Sequence, residues 1–226
     1  MVHDAQAAVE NARAGDAALS GVLRVTSTAE YGNHFLIPAL AAFGALHPQL
    51  KIEFSSSPLN SNLVMERFDV AVRLGPLNDS TLKAALLGRF RVVAAATPSY
   101  LSGRSMPRTP QQLSRFDWVM HKGFQGALTW NAKRAPARSY RVKLEGRYQA
   151  DTAAAVLGFV LAECGAGLLP DWLISRELAS NALVDVLPAY GLPQQDIHAL
   201  FPNTQYIPSK VRKLIDFLRL RLGESV

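Results

Sequence analysis

The chain has 226 residues, 49% of them apolar and 19% charged, a balance that supplies core for two small domains. Its apolar runs stop short of the roughly 20 residues a membrane-spanning helix needs, its N-terminus lacks the basic start and apolar centre of a signal peptide, and its single cysteine cannot form an internal disulfide. A formal net charge of +6 favours acidic partners, either nucleic acid or anionic small ligands, although the cations are spread out and not gathered into a binding arm.

Residues 5–19 read as a helix broken by Gly15, and "VLRVTS" follows as a strand rich in β-branched residues. In "TAEYGNHFLIPALAAFGALHPQL" the positions Phe35, Leu36, Ala39, Leu40, Phe43 and Leu46 fit one helical face, and Pro48 ends it. "KIEFSSS" is a second strand, "NSNLVMERF" a short helix, and "DVAVRLG" a third strand that stops at Gly75 and Pro76. Strand, helix, strand, helix, strand is the mark of a parallel sheet with crossover helices.

The pattern then changes. "LKAALLG" and "RFRVVAAAT" are strand-like, "PSYL" opens a helix on Pro98, and "SMPRTPQQLSRFDW" is a surface loop with a small helix. "DWVMH", "ALTWNA" and "YRVKLEGRYQA" read as strands. A helix from Asp151 to Cys164 and a strand ending at Pro170 come next, then a helix "DWLISRELASN" and strands "ALVDVLPAY" and "DIHALFP". In the closing helix "PSKVRKLIDFLRLRL", Val211, Leu214, Ile215, Leu218 and Leu222 share one face. The α/β pattern breaks after about residue 90 and returns after the "GLPQQ" turn, which predicts two lobes joined by two crossings, a natural hinge around a ligand cleft.

Catalytic templates find little to hold. Cys164 falls at the end of a helix beside Glu163 and Gly165, where the dipole disfavours a thiolate, so it reads as a packed structural thiol. Gly165 and Gly167 follow a helix and precede a strand, the reverse of a dinucleotide fingerprint, and serve to close the helix. His3, His34, His47, His121 and His198 are scattered with no metal-ligand spacing, so neither a metal nor a cofactor is expected, and Glu66, Asp69 and Asp151 do not pair by spacing. What remains is the start of each helix. Ser27, Thr28 and Ala29 join the first strand to the first long helix, and Ala150, Asp151 and Thr152 do the same in the second lobe. Open α/β sheets bind ligands beyond the carboxyl ends of their strands, and Arg73 adds a cation at the same mouth. The plainer alternative is that Ser27 and Asp151 only cap helices and that Arg73 pairs with a surface acid.

The ordered set "GVLRVTSTAEYGNHFLIPALAAFGALHPQLKIEF", "RFDVAVRLGPLNDSTLKAALLG", "VVAAATPSYLS", "TPQQL", "GAGLLPDWL" and "LVDVLPAY" resembles the effector-binding domain of LysR-type transcriptional regulators over residues 21–222. The resemblance implies an α/β fold similar to type 2 periplasmic binding proteins: two Rossmann-like subdomains joined by two crossover strands. Their expected bounds are 1–20 for the tail of a linker helix, 21–92 with 194–226 for subdomain I, and 93–193 for subdomain II. It also implies a small-molecule inducer, anionic on the charge argument, in the cleft between them. By position the inducer contacts fall on Ser27, Thr28, Ala29, Ser57, Arg73, Gly75, Thr97, Ala150, Asp151 and Thr152.

The family's N-terminal winged helix-turn-helix is missing from this sequence, which is therefore expected to be a truncated regulator that reaches operator DNA only through that domain. The expected assembly is a homodimer, with a homotetramer for the full-length protein, in the cytoplasm and away from membranes. A solute-binding protein of a transport system is the alternative, and an enzyme of the same bilobal fold a more distant one.

Overall fold

A computed structural model describes residues 18–56, 68–77, 81–124 and 126–223. The chain forms two compact units, Met1–Arg89 with Asp196–Val226, and Phe90–Gln195. All but Phe68 of the helix expected at 60–68 lies outside the described residues, as does all but the end of the one expected at 5–19; Phe68 and residues 18–20 are not helical.

The first unit begins with β1 (Gly21–Ser27), α1 (Ala29–Tyr31), a π turn (Gly32–Leu36) and α2 (Ile37–Leu46), followed by β2 (Leu50–Ser56), β3 (Val70–Leu74) and β4 (Lys83–Phe90). Strands β2 and β3 both pair parallel to β1, as the strand–helix–strand pattern predicts. The single helix expected across 28–47 is instead interrupted by the wide turn, in which Ile37 N donates to Gly32 O. Pro38 explains the interruption: it has no N–H, and its ring would meet the carbonyl four residues back in a regular helix. Gly32 is needed there because a Cβ would lie 2.5 Å from the Phe54 ring of β2.

The second unit contains β5 (Val92–Ala96), α3 (Pro98–Leu101), a 3-10 turn (Pro110–Arg115), β6 (Trp118–His121), β7 (Ala127–Ala132), β8 (Ala135–Lys143), β9 (Tyr148–Ala150), α4 (Ala153–Leu161), β10 (Ala166–Pro170), α5 (Ser175–Ala179), β11 (Val184–Asp185) and β12 (Tyr190–Gly191). They build one sheet in the order β11-β5-β10-β6-β9 and another in the order β12-β7-β8. Helix α4 seals the first sheet through Val156 and Val160, which join Ala95, Val119, Leu169 and Ile174 in one fully buried cluster. A Cβ on Gly167 of β10 would stand 2.6 Å from Val160 Cγ2, so this glycine sets how closely helix and strand approach.

Several expected elements are shorter than their sequence pattern. "YRVKLEGRYQA" splits at Gly146, where a Cβ would be 2.0 Å from the Trp118 carbonyl oxygen; its halves belong to different sheets. The helix expected to Cys164 stops at Leu161, and Glu163, at φ 62°, takes the left-handed position expected of Gly165. Gly165 instead lies against the Asp117 backbone, with room for no Cβ. "DWLISRELASN" is helical only from Ser175, because the amides of Leu173 and Ile174 both return to Pro170 O and the Asp171 carboxylate takes the Trp172 amide. "ALVDVLPAY" divides into β11 and β12, since Asp185 Oδ1 captures the Leu187 amide at 2.9 Å and Pro188 cannot extend a ladder.

The chain then returns to the first unit as β13 (Gln195–Phe201) and α6 (Ser209–Gly223). The first unit's sheet reads β2-β1-β3-β13-β4, with β13 antiparallel to β3. The face predicted for α6 is the one that packs: Val211, Leu214, Ile215, Leu218 and Leu222 are buried, and Phe217 meets Phe43 of α2 with ring centroids 5.3 Å apart. At the start of α6, Lys210 Nζ donates to Val22 O and stands 3.4 Å from Asp69 Oδ2. Asp69 in turn accepts the Arg24 amide at 2.8 Å.

Two glycine substitutions are expected to act in opposite directions. Gly146→Ala drives a methyl into backbone that cannot yield and costs about 2 kcal/mol or more. Gly158→Ala, in the middle of α4 with open space where its Cβ would stand, adds roughly 0.5 to 1 kcal/mol. Urea denaturation of each variant measures both.

Candidate functional site

The carboxyl ends of the first unit's parallel strands gather polar groups where a sheet ordinarily buries apolar ones. Ser27 closes β1 in register with Ser56 at the end of β2. It is fully buried, and its Oγ has no hydrogen-bond partner. Thr28 follows in extended conformation without a side-chain cap bond, and Ala29 opens the helix. The capping alternative for Ser27 therefore does not describe this structure.

Two residues short of Gly75, Arg73 is only 4% exposed on the central strand β3, with Nη1 3.4 Å from Val72 O. Arg73 is therefore a buried side chain and not a surface one. Gly75 has φ 84°, a left-handed value that favours glycine, and its amide donates to Asp196 O at 2.9 Å, which ties β3 to β13.

Antiparallel pairing of β13 brings a residue that spacing did not single out. His198 stands opposite Arg73 in the ladder, its Nδ1 is buried without a hydrogen-bond partner, and its Nε2 is 3.9 Å from Asp196 Oδ2. Asp196 itself is held by Arg89 Nε at 2.8 Å. Thr26 also has a buried hydroxyl without a partner, on the other face of β1 from Ser27. Buried donors and acceptors are expensive unless something bonds them. Ser27 and His198 thus leave bonding capacity open near the carboxyl end of this sheet, His198 on the face of Arg73 and Thr26, and Ser27 on the opposite face. Ser57, the remaining expected contact in this unit, lies outside the described residues.

In the second unit, β6 and β9 end together, with His121 in register with Ala150 and the Lys122 amide donating to Ala150 O at 2.8 Å. Asp151 is exposed, and Thr152, not Asp151, caps α4: its Oγ1 accepts the Ala155 amide at 3.2 Å. Thr97 does not join this set. Because β5 runs antiparallel to β10, Val93 is level with Leu169, and hence with His121 and Ala150, while Thr97 lies four residues further along. At roughly 3.3 Å per residue that is about 13 Å away, at the other end of the sheet. There its Oγ1 accepts the Tyr100 amide and caps α3.

Cys164 is half-buried against the Val156–Val160 cluster, with Sγ 3.8 Å from Ala162 O. Among the described residues no group of His, Cys, Asp and Glu is arranged to hold a metal ion, and no helix is long and apolar enough to cross a membrane.

A sequence profile for the LysR substrate binding domain matches residues 16–223. The HTH-type transcriptional regulator PtxR of Pseudomonas aeruginosa is 37% identical over 206 residues, which cover 91% of this chain and 66% of that protein. The chain thus spans about two thirds of the length of the curated relatives it matches. The regulatory domain of CrgA, a LysR-type transcriptional regulator from Neisseria meningitidis, superposes with a TM-score of 0.74 at 25% identity, covering 91% of this chain and all of that one. The full-length virulence activator AphB of Vibrio cholerae gives 0.74 at 24% identity, over 96% of this chain and 74% of that one, and shares the fold.

Cys164→Ser is expected to leave the fold intact and to lower stability by less than about 1 kcal/mol, since a small packed group replaces another. A thermal melt that collapsed, or loss of ligand binding in the variant, would return the thiol to the list of functional groups.

Proposed function

Since the chain belongs to the family of LysR substrate binding domains, we propose that it is the effector-sensing part of a LysR-type transcriptional regulator and that its ligand is a small anion. The observation that carries this reading is the gathering, at the carboxyl end of one sheet, of the buried Arg73, of His198 opposite it with an unpartnered Nδ1, and of the unpartnered Ser27 Oγ on the other face. An anion there accepts hydrogen bonds from a guanidinium, which binds carboxylates and phosphates in a planar fork. Thr28, Ala29 and Gly75 supply backbone at the same end of the sheet, and Ala150, Asp151 and Thr152 are the proposed contribution of the second unit.

The mechanism is a shift of population. An effector that binds one arrangement of the protein better than another moves the equilibrium by that difference in affinity, and by no more. In the full regulator this shift reaches operator DNA through a DNA-binding domain and a homo-oligomer, in the cytoplasm where the DNA is. The chain performs no catalysis in this scheme. Relatives named as transcriptional regulators support the non-enzyme reading.

The test is calorimetric titration against a panel of small carboxylates and phosphates. Arg73→Ala is expected to weaken the best of them at least tenfold, the worth of a charge-assisted hydrogen bond. Ser27→Val removes a hydroxyl that bonds nothing in the protein, so it should weaken binding while leaving the melting temperature within a few degrees. Unchanged affinity in both variants would remove this strand end from the site.

A further inference from the structure

Within the second unit is a cavity of about 490 Å³ that shares no residue with the candidate contacts considered above. Its walls are mainly apolar: Val93, Trp130, Leu178, Tyr190 and Leu192 face it from β5, β7, α5, β12 and the turn beyond. Two ion pairs stand in the same lining. Arg91 Nε holds Asp171 Oδ2 at 2.9 Å, and Lys133 Nζ stands 3.9 Å from Asp185 Oδ2, beyond hydrogen-bond reach. In each pair the carboxylate is the shielded member: the side chains of Asp171 and Asp185 are 19% and 28% exposed, against 70% and 54% for Arg91 and Lys133.

Charges near water are screened more than sheltered ones, so the two carboxylates count for more at the cavity wall than their outlying cations. The two carboxylates are not equivalent. Asp171 is fully occupied by Arg91 and the Trp172 amide. Asp185 has one oxygen on the Leu187 amide and the other short of any close donor, and burial holds its carboxyl above the usual range. The aromatic rings of Trp130 and Tyr190 belong to the same lining, which suits an apolar body that carries a cation.

We propose that this cavity binds a small organic ammonium compound, with its charged nitrogen on Asp185 Oδ2 and its apolar part against Trp130, Leu178 and Leu192. Such a ligand gives Asp185 the close donor that Lys133, at 3.9 Å, does not provide. The volume suits a molecule of a single ring and a short chain. This site shares no residue with the proposed anion site and stands or falls separately from it.

Phenethylamine is the probe, titrated into the intact chain by calorimetry, with 3-phenylpropionate as its anionic counterpart of similar shape. The expected result is saturable binding of the amine, at least tenfold weaker binding of the acid, and at least tenfold loss of amine affinity in Asp185→Asn, whose amide oxygen still accepts the Leu187 amide. Leu192→Lys, which puts a cation on the lip without touching the core cluster, should also abolish amine binding if Asp185→Asn proves unstable. Arg73→Ala should leave amine binding unchanged. No heat with the amine, equal binding of the acid, or unaltered affinity in both cavity variants would overturn the proposal.

Discussion

The first unit depends on a strand that arrives late. β13 lies between β3 and β4, so this sheet is continuous only when residues 195–201 have crossed back from the second unit. A pairing this far apart in sequence carries a loop-closure cost that local elements do not. The return is then fixed at the start of α6, where Lys210 meets the Asp69 carboxylate and the Val22 carbonyl, with both charged side chains largely out of water. A buried pair of this kind adds little net energy over an apolar one, but either charge left alone would be costly. Its effect is to specify one register between the C-terminal helix and the edge of the first strands. The Arg24 amide on Asp69 extends the same tie into β1.

That constraint also makes the candidate anion site. An antiparallel β13 carries Asp196 and His198 to the carboxyl ends of β1 and β3, opposite Arg73. A parallel return would have left the polar end of β13 at the other edge of the sheet. The Gly75 amide on Asp196 O fixes the level, and with it the height of the His198 ring against the guanidinium. The unpartnered Ser27 hydroxyl and His198 nitrogen cost stability at this strand end, while the surrounding Leu23, Val25, Val70 and Val72 pack as an ordinary core. Local rules broken inside an otherwise consistent fold mark functional ground.

What the sequence made legible was whatever rests on period and punctuation. The apolar face of α6 and the alternation of parallel strands through β3 could be read because side-chain direction follows from 3.6-fold and two-fold repeats. Ser27 and Arg73 could be singled out because strand ends are local. His198 could not, since its place opposite Arg73 comes from antiparallel register across 125 positions. The same blindness to register placed Thr97 with Ala150, although the reversal between β5 and β10 sends it to the far edge. Shorter elements failed for steric reasons outside any pattern. Gly146 is a break only because the Trp118 carbonyl occupies the space of its Cβ. Glu163, a residue with no left-handed preference of its own, takes that conformation because Gly165 is committed to the Asp117 backbone.

The amine cavity and the effector contacts proposed for the second unit, Ala150 to Thr152, lie at one sheet. β5 forms part of the amine cavity through Val92, Val93 and Ala94, and it pairs residue by residue with β10. The Arg91–Asp171 pair belongs both to the cavity wall and to the end of β10, which is level with Ala150 at the start of the α4 cap. A compound that loads the cavity therefore bears on the strand end proposed to meet the effector. Coupling between two equilibria is reciprocal: any change that amine binding makes in effector affinity, effector binding makes in amine affinity by the same factor. It need not involve a visible displacement, because rigidifying a shared sheet lowers the ordering cost left for the second ligand. Were both proposed ligands to bind, and to favour one arrangement unequally, the protein would report two concentrations through one output.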